Sequence, residues 1–166
     1  MKDYKEFYDK ITGFISKSPK RIRLLNLADK AMEMIMYAVY PCLLAFIFFF
    51  RKNLNVLPFI LVPGVSFVVL SLFRKLVNRK RPYESWNIKQ LIPKNKKGNS
   101  FPSRHVFSTA MIAMCGMKIS VILGVILIVF TLILACIRVL GGVHYPSDVF
   151  AGMLIGVILG SLLFVL

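Results

Sequence analysis

The sequence predicts an all-α membrane protein, a polytopic transmembrane helix bundle of about five spans with an amphipathic helix at its N-terminus. Of its 166 residues, 57% are hydrophobic and the mean hydropathy is +0.71, which is more apolar than a typical soluble fold. The apolar residues fall into long runs that are separated by segments rich in Lys and Arg. A run of about 20 apolar residues is long enough for a helix to cross the hydrocarbon core of a bilayer.

The first 30 residues predict an amphipathic helix that lies on the membrane surface. Apolar residues recur there at helical spacing among basic ones: Tyr4, Phe7, Tyr8, Ile11, Phe14 and Ile15. Such a helix buries its apolar face at the interface and directs its Lys and Arg side chains to lipid headgroups. The alternative is a helix that packs on loops of the same chain.

Five apolar runs then predict five spans, at residues 31–50, 54–73, 105–117, 119–137 and 149–166. Pro41 lies inside the first run, where a membrane helix tolerates it. Only Lys118 separates the third run from the fourth, so the turn between them is tight. Gly152, Gly156 and Gly160 are spaced four apart in the last run, which indicates close helix packing. Residues 1–166 form one domain, with its transmembrane core at 31–166.

The polar segments of this layout meet on one membrane face. With five spans, the N-terminal segment and the loops around 74–104 and 138–148 lie together, and the segment 74–104 carries nearly half of the 22 Lys and Arg residues. The formal net charge is +15. Because the basic residues lie between apolar runs, the charge fits anionic headgroups or a phosphorylated substrate, and not nucleic acid.

Two histidines and one late carboxylate are the candidate catalytic groups. His105 and His144 are the two histidines of the chain, and Asp148 is its last acidic residue. Scarce ionisable groups at the ends of membrane segments predict a functional site. Asp148 lies four residues after His144, so it can bond one ring nitrogen and leave the other as a nucleophile. His105 arrives from another span and can protonate a leaving oxygen.

Three arginines and a helix start are the candidate phosphate ligands. Arg74, Arg81 and Arg138 supply fixed positive charge, and arginine suits bidentate contacts with phosphate. Ser103 precedes an apolar run, so it lies near a helix start whose free backbone N–H groups attract an anion. Two-metal phosphatases use several carboxylates, whereas Asp148 is the only acidic residue after Glu84. We therefore predict no metal site and no cofactor.

These residues fall into three ordered motifs, which are Arg74-Lys75-Leu-Val-Asn-Arg79-Lys80-Arg81-Pro82, Ser100-Phe-Pro-Ser103-Arg104-His105, and the segment from Arg138 through His144 to Asp148. Together they resemble the type 2 phosphatidic acid phosphatase (PAP2) superfamily, which also includes vanadium haloperoxidases and glucose-6-phosphatase-like enzymes. The family pattern is Lys-x6-Arg-Pro, then Pro-Ser-Gly-His, then Ser-Arg-x5-His-x3-Asp.

The chain departs from that pattern at three positions. Arg74 stands where the family has Lys, and Lys75 is one residue out of register, so either side chain could fill that role. The two residue types are not equivalent, because Arg offers a planar fork and Lys a point charge. Arg104 replaces the family's Gly, and Ile137 replaces the Ser that precedes Arg138.

The resemblance implies a membrane-embedded, metal-independent lipid phosphatase that forms a phosphohistidine on His144. Asp148 would orient that histidine and His105 would protonate the leaving group. The implied phosphate-binding residues are Arg74, Lys75, Arg81, Ser103, Arg104 and Arg138. The implied substrates are phosphatidate, phosphatidylglycerophosphate, polyprenyl diphosphate or a polyprenyl-phosphoryl sugar phosphate. The usual family layout has six spans, so six is the alternative count for this chain.

Two other functions and several properties stay open at this point. The alternatives are a small-molecule phosphatase or haloperoxidase-like site, and a non-catalytic membrane protein that binds anionic lipid through its basic face. The lysines at positions 80, 89, 94, 96 and 97 are predicted to face solvent or headgroups. We expect a multi-pass protein of the cell membrane. The positive-inside rule would make the basic face cytoplasmic, whereas many family members are thought to work on the outer face. Oligomeric state is open.

Overall fold

Seven α-helices and a terminal 3-10 turn make up the computed structural model, which describes residues 4–166. The helices are α1 (Tyr4–Ser16), α2 (Pro19–Phe50), α3 (Val56–Val77), α4 (Pro82–Ser85), α5 (Arg104–Ile119), α6 (Val121–Leu140) and α7 (Pro146–Gly160), and the turn is Ser161–Phe164. Segments 19–50, 56–85, 121–140 and 146–164 are long and apolar enough to cross a membrane. With the shorter α5 there are five long helices, so the predicted all-α transmembrane bundle is confirmed.

The first long helix begins well before the predicted span. The apolar run starts at Ala31, but α2 starts at Pro19, and α1 ends at Ser16. Proline suits the first turn of a helix, and it disfavours helical backbone in the residue before it, so the break falls at Ser18. Residues 19–30 therefore belong to the spanning helix and not to the amphipathic one. Residues 1–3 of the predicted amphipathic segment lie outside the described residues.

The amphipathic helix α1 packs against loops of its own chain. Tyr4 and Tyr8 are buried, and the ring of Tyr4 lies 4.8 Å from that of Tyr145 and 6.1 Å from that of Trp86. The Tyr8 hydroxyl donates to the carbonyl of Leu140 at 3.1 Å. This helix thus braces the loop between α6 and α7.

The short helix α5 lies at the centre of the bundle. Its 16 residues span about 24 Å, less than the roughly 30 Å of hydrocarbon, and most of its side chains are buried. The predicted glycine stripe of α7 faces it: a Cβ on Gly152 would lie 2.5 Å from the Ser103 carbonyl oxygen, and one on Gly156 would lie 2.8 Å from that of Phe107. The close contact brings the starts of α5 and α7 together.

Polar segments gather at one end of the bundle, as the five-span layout predicts. At the opposite end, the Arg51 guanidinium donates to the Ile119 carbonyl at 3.1 Å, so the α2–α3 and α5–α6 turns are neighbours there. The C-terminus of α3, the α4–α5 loop, the start of α5 and the α6–α7 loop therefore share the other end, where the candidate site lies.

Candidate active site

His144 is held by Asp148 at the start of α7. Its Nδ1 lies 3.5 Å from Asp148 Oδ2 and 3.4 Å from Ser100 Oγ. The carboxylate is fixed in turn: Oδ2 accepts from Ser100 Oγ at 2.5 Å and from the Tyr145 N–H at 3.0 Å, and Oδ1 pairs with Arg79 at 2.7 Å. Because Nδ1 faces these groups, Nε2 is left as the reactive nitrogen.

The environment keeps this imidazole neutral. His144 is 2% exposed. Burial lowers the pKa of His144 to about 3, against the opposing effect of its bond to Asp148, and repulsion from Arg81 lowers it further. At pH 7 the ring therefore carries a lone pair that is available for attack on phosphorus.

The loop that carries His144 needs a glycine just before it. Gly142 has φ of +72°, a left-handed conformation that glycine adopts without steric cost. A Cβ on Gly142 would lie 2.7 Å from the Tyr8 hydroxyl oxygen. Helix α1 thus packs against the loop at Gly142, and this contact fixes the approach of the chain to His144.

Two arginines are aimed into the site by backbone carbonyls. Arg74, in the last turn of α3, donates to the carbonyls of Asn99 and Ser100. Arg81 donates from Nε to the Gly98 carbonyl at 3.2 Å and from a terminal nitrogen to the Val143 carbonyl at 3.0 Å. Carbonyl partners fix a guanidinium without neutralising it, so both positive charges remain available to a phosphate dianion.

His105 forms a second histidine–carboxylate pair. Its Nε2 lies 2.9 Å from Oε1 of Glu33, which projects from α2. The same oxygen pairs with Arg138, and Arg138 also lies 3.1 Å from Asp29, one turn earlier on α2. Arg138 is fully buried, and its NH1 has no hydrogen-bond partner within residues 4–166. Arg138 therefore holds Glu33 and Asp29 of α2 from inside the bundle.

A polar cavity of about 460 Å³ joins these groups. It brings together six of the nine residues that the sequence predicted: Arg74, Lys75, Arg81, Arg104, His105 and His144. The other three lie behind its wall. Asp148 supports His144, Arg138 supports Glu33, and Ser103 is the buried N-cap residue of α5, whose N–H donates to the Asp148 carbonyl at 2.8 Å. Ser103 thus joins α5 to α7.

The cavity also contains residues that the sequence analysis missed. Glu33 is the most important, and an acidic residue inside an apolar span is a signal that could have found it. Lys94, Lys96 and Lys97 were predicted to face solvent or headgroups. Lys96 and Lys97 are exposed and Lys94 is half-buried, and all three line the cavity. Within the part of the chain that the structure describes, no three His, Cys, Asp or Glu side chains converge as metal ligands would.

Comparison with known proteins identifies the family. The PAP2 superfamily pattern matches residues 55–166, which is more than half of the chain. The chain belongs to the PAP2 superfamily. It is accordingly an integral membrane lipid phosphatase, a phosphoric ester hydrolase, and the non-catalytic alternative is set aside. The matched region begins at Asn55, so α2 and its Glu33 lie outside it.

Solved structures agree with this assignment. The PAP2 protein superimposes on LpxE of Aquifex aeolicus with a TM-score of 0.74 and 28% identity, over 97% of this chain and 94% of that one. It superimposes on a transmembrane PAP2 type phosphatidylglycerolphosphate phosphatase from Bacillus subtilis with a TM-score of 0.75 and 22% identity, over 96% of this chain and 82% of that one. The second similarity shows the fold alone. Among curated protein sequences, none matches the chain.

Proposed function

We propose that this PAP2 protein hydrolyses a lipid phosphate monoester or diphosphate in the cell membrane, without a metal ion and through a phosphohistidine on His144. One observation carries the proposal. A buried, neutral histidine, oriented by Asp148, borders a cavity that also holds the side chains of Arg74 and Arg81. Phosphatidate, phosphatidylglycerophosphate, a polyprenyl diphosphate and a polyprenyl-phosphoryl sugar phosphate are the candidate substrates.

In the first step, Nε2 of His144 attacks the phosphorus atom. The N–P bond forms as the bond from phosphorus to the lipid oxygen breaks, and that oxygen takes the proton of His105. Arg74 and Arg81 stabilise the charge on the non-bridging oxygens. Asp148 stabilises the positive charge that His144 acquires.

In the second step, water attacks the phosphohistidine. His105 is now neutral and takes a proton from that water, so the oxygen forms its bond to phosphorus as the N–P bond breaks. The electron pair of that bond returns to His144, and inorganic phosphate leaves. The proton that His105 gave to the lipid oxygen in the first step is thus replaced from water.

Glu33 serves this cycle as a positioning residue. Its Oε1 accepts from His105 and also pairs with Arg138, so the carboxylate is fixed between α5 and α6. A fixed carboxylate orients the imidazole, as Asp148 orients His144 on the other side. The site therefore has two histidine–carboxylate pairs, one for the nucleophile and one for the general acid.

An apolar cavity beside the polar one favours a lipid substrate over a small soluble one. It measures about 270 Å³ and is lined by residues of α2, α3 and α5, among them Tyr37, Phe67 and Met111. A smaller cavity shares Tyr37 and Phe67 with it and also contacts Glu33 and His105. An acyl or prenyl tail can therefore lie against α5 while its phosphate reaches the catalytic groups.

The test is phosphate release from a panel of lipid phosphates by purified protein in EDTA. Wild type should release phosphate with the chelator present, and His144→Ala should release none, because the N–P bond cannot form. Lys89→Ala alters an exposed lysine outside the cavity and should match wild type. Undiminished release by His144→Ala would show that another residue is the nucleophile, and activity that vanishes in EDTA would contradict the metal-free mechanism.

A further inference from the structure

The cavity carries more positive charge than one phosphate group requires. Arg74 and Arg81 already match the charge of a single dianion. Lys94, Lys96 and Lys97 line the same cavity from the α4–α5 loop. None of these three lysines forms an ion pair with an acidic side chain of residues 4–166, and Glu33, the acidic residue on the cavity wall, is already bonded to His105 and Arg138.

The loop that carries these lysines is held in place by its backbone. The hydroxyl of Tyr83 donates to the Lys96 carbonyl, and the side-chain amide of Gln90 donates to the Lys94 carbonyl at 3.2 Å. The N–H of Gly98 donates to the Glu84 carboxylate at 2.8 Å. Because these bonds use main-chain atoms, the ammonium groups stay free for a ligand while their positions are set before it binds.

Lys94 is the most enclosed of the three lysines. It is half-buried, and burial lowers the pKa of Lys94 to about 8, with repulsion from Arg138 acting in the same direction. Glu33 and Asp29 on α2 oppose that shift, and Arg81 adds to it. A cation held among other cations gains from a bound anion, which both pairs with it and favours its charged form.

We propose that Lys94, Lys96 and Lys97 bind a second phosphate group, so that the substrate is a lipid with two phosphate groups of which the enzyme removes one. This inference rests on the proposed phosphatase function and narrows it. The cavity volume of about 460 Å³ is in the range, roughly 300–1,000 Å³, that holds ligands of drug size. It accommodates a headgroup larger than a single phosphate.

The experiment compares two substrates with the same prenyl tail, a monophosphate and a diphosphate, in nonionic detergent micelles. Wild type should show a higher kcat/KM for the diphosphate. The triple variant Lys94→Met, Lys96→Met, Lys97→Met keeps the apolar stems and removes the charges. It should lose about tenfold or more in kcat/KM on the diphosphate, mainly through KM, and less than about twofold on the monophosphate. Lys89→Met, on the same loop outside the cavity, should match wild type on both.

Several outcomes would overturn the proposal. Wild type that prefers neither the diphosphate nor a third substrate, phosphorylated at two separate positions, over the monophosphate would do so. A triple variant that loses equally on the monophosphate and on the preferred substrate, or that loses on neither, would also do so. A loss that appears only after anionic lipid is added would show that the lysines bind bulk headgroups. The third substrate shows whether the two phosphate groups are joined as a diphosphate or lie at separate positions. The substrate whose hydrolysis depends on the lysines is the one whose second phosphate reaches the loop. Release from the monophosphate by wild type tests the proposed function separately.

Discussion

Replacing Glu33 by Gln should impair the general acid and leave the nucleophile intact. The amide has nearly the shape of the carboxylate, but it carries no charge to hold the His105 proton. A hydrogen bond to a charged group is worth about 1.5–3 kcal/mol, which corresponds to a loss of roughly 10- to 100-fold in kcat. The Glu33 side chain is 25% exposed, so we expect the lower half of that range. The KM should change little, because Glu33 does not bind the phosphate.

Two leaving groups separate this role from a purely structural one. An alkyl phosphate expels a basic oxygen that needs the His105 proton, whereas a nitrophenyl phosphate expels a stable phenolate that does not. Glu33→Gln should therefore slow the alkyl ester by the full factor and the aryl ester by less than about threefold. Asp29→Asn is the matched control, since Asp29 pairs with Arg138 but not with His105, and it should affect both esters equally. An equal loss on both esters in Glu33→Gln, at unchanged thermal stability, would refute the assigned role.

Three further predictions follow from the geometry. The pKa of His144 is lowered from 6.5 to about 3 in the folded protein, so on acidification the unfolded chain binds a proton before the folded one does. Thermal stability in detergent should therefore fall as the pH drops from about 6.5 to about 3. His144→Gln should reduce this dependence of stability on pH. Gly156→Ala should lower the Tm, because the added Cβ would lie 2.8 Å from the Phe107 carbonyl oxygen and overpacking costs about 1–3 kcal/mol. Gly64→Ala is the control: its Cβ meets nothing within 4 Å, so it should be neutral or stabilising. Vanadate should inhibit phosphate release competitively, because it mimics five-coordinate phosphorus, and non-competitive inhibition would point to a different site.

The contact between His144 and Asp148 could be predicted from the sequence because the two residues are close in the chain. His144 lies two residues before the start of α7 and Asp148 lies in its first turn, so their side chains are close once that helix forms. The arginines were recognised by residue type and motif. Their carbonyl partners could not be predicted, since the path of the α4–α5 loop is set by contacts such as Arg81 to Val143, which are 62 residues apart.

The contact between Glu33 and His105 could not be predicted from the spacing of residues in the sequence. Glu33 and Arg138 are 105 residues apart, and they meet because packing sets the rotation of α2 against α6. A hydropathy pattern fixes which segments are helical, but it specifies the rotation of a helix poorly when the helix is apolar on all sides. The same limit explains the start of α2: charged residues at a helix end can reach the interface, so an apolar run underestimates the helix that contains it.

The two histidine–carboxylate pairs also differ in origin within the chain. The nucleophile pair, with Arg74 and Arg81, lies entirely within residues 55–166, which the family pattern matches. The acid pair takes His105 from that region but Glu33 from α2, outside it. Arg138 links the two parts, because it lies in the matched region and contacts Glu33 and Asp29 of α2. Because one Glu33 oxygen contacts both Arg138 and His105, the orientation of His105 depends on a contact between the matched region and α2.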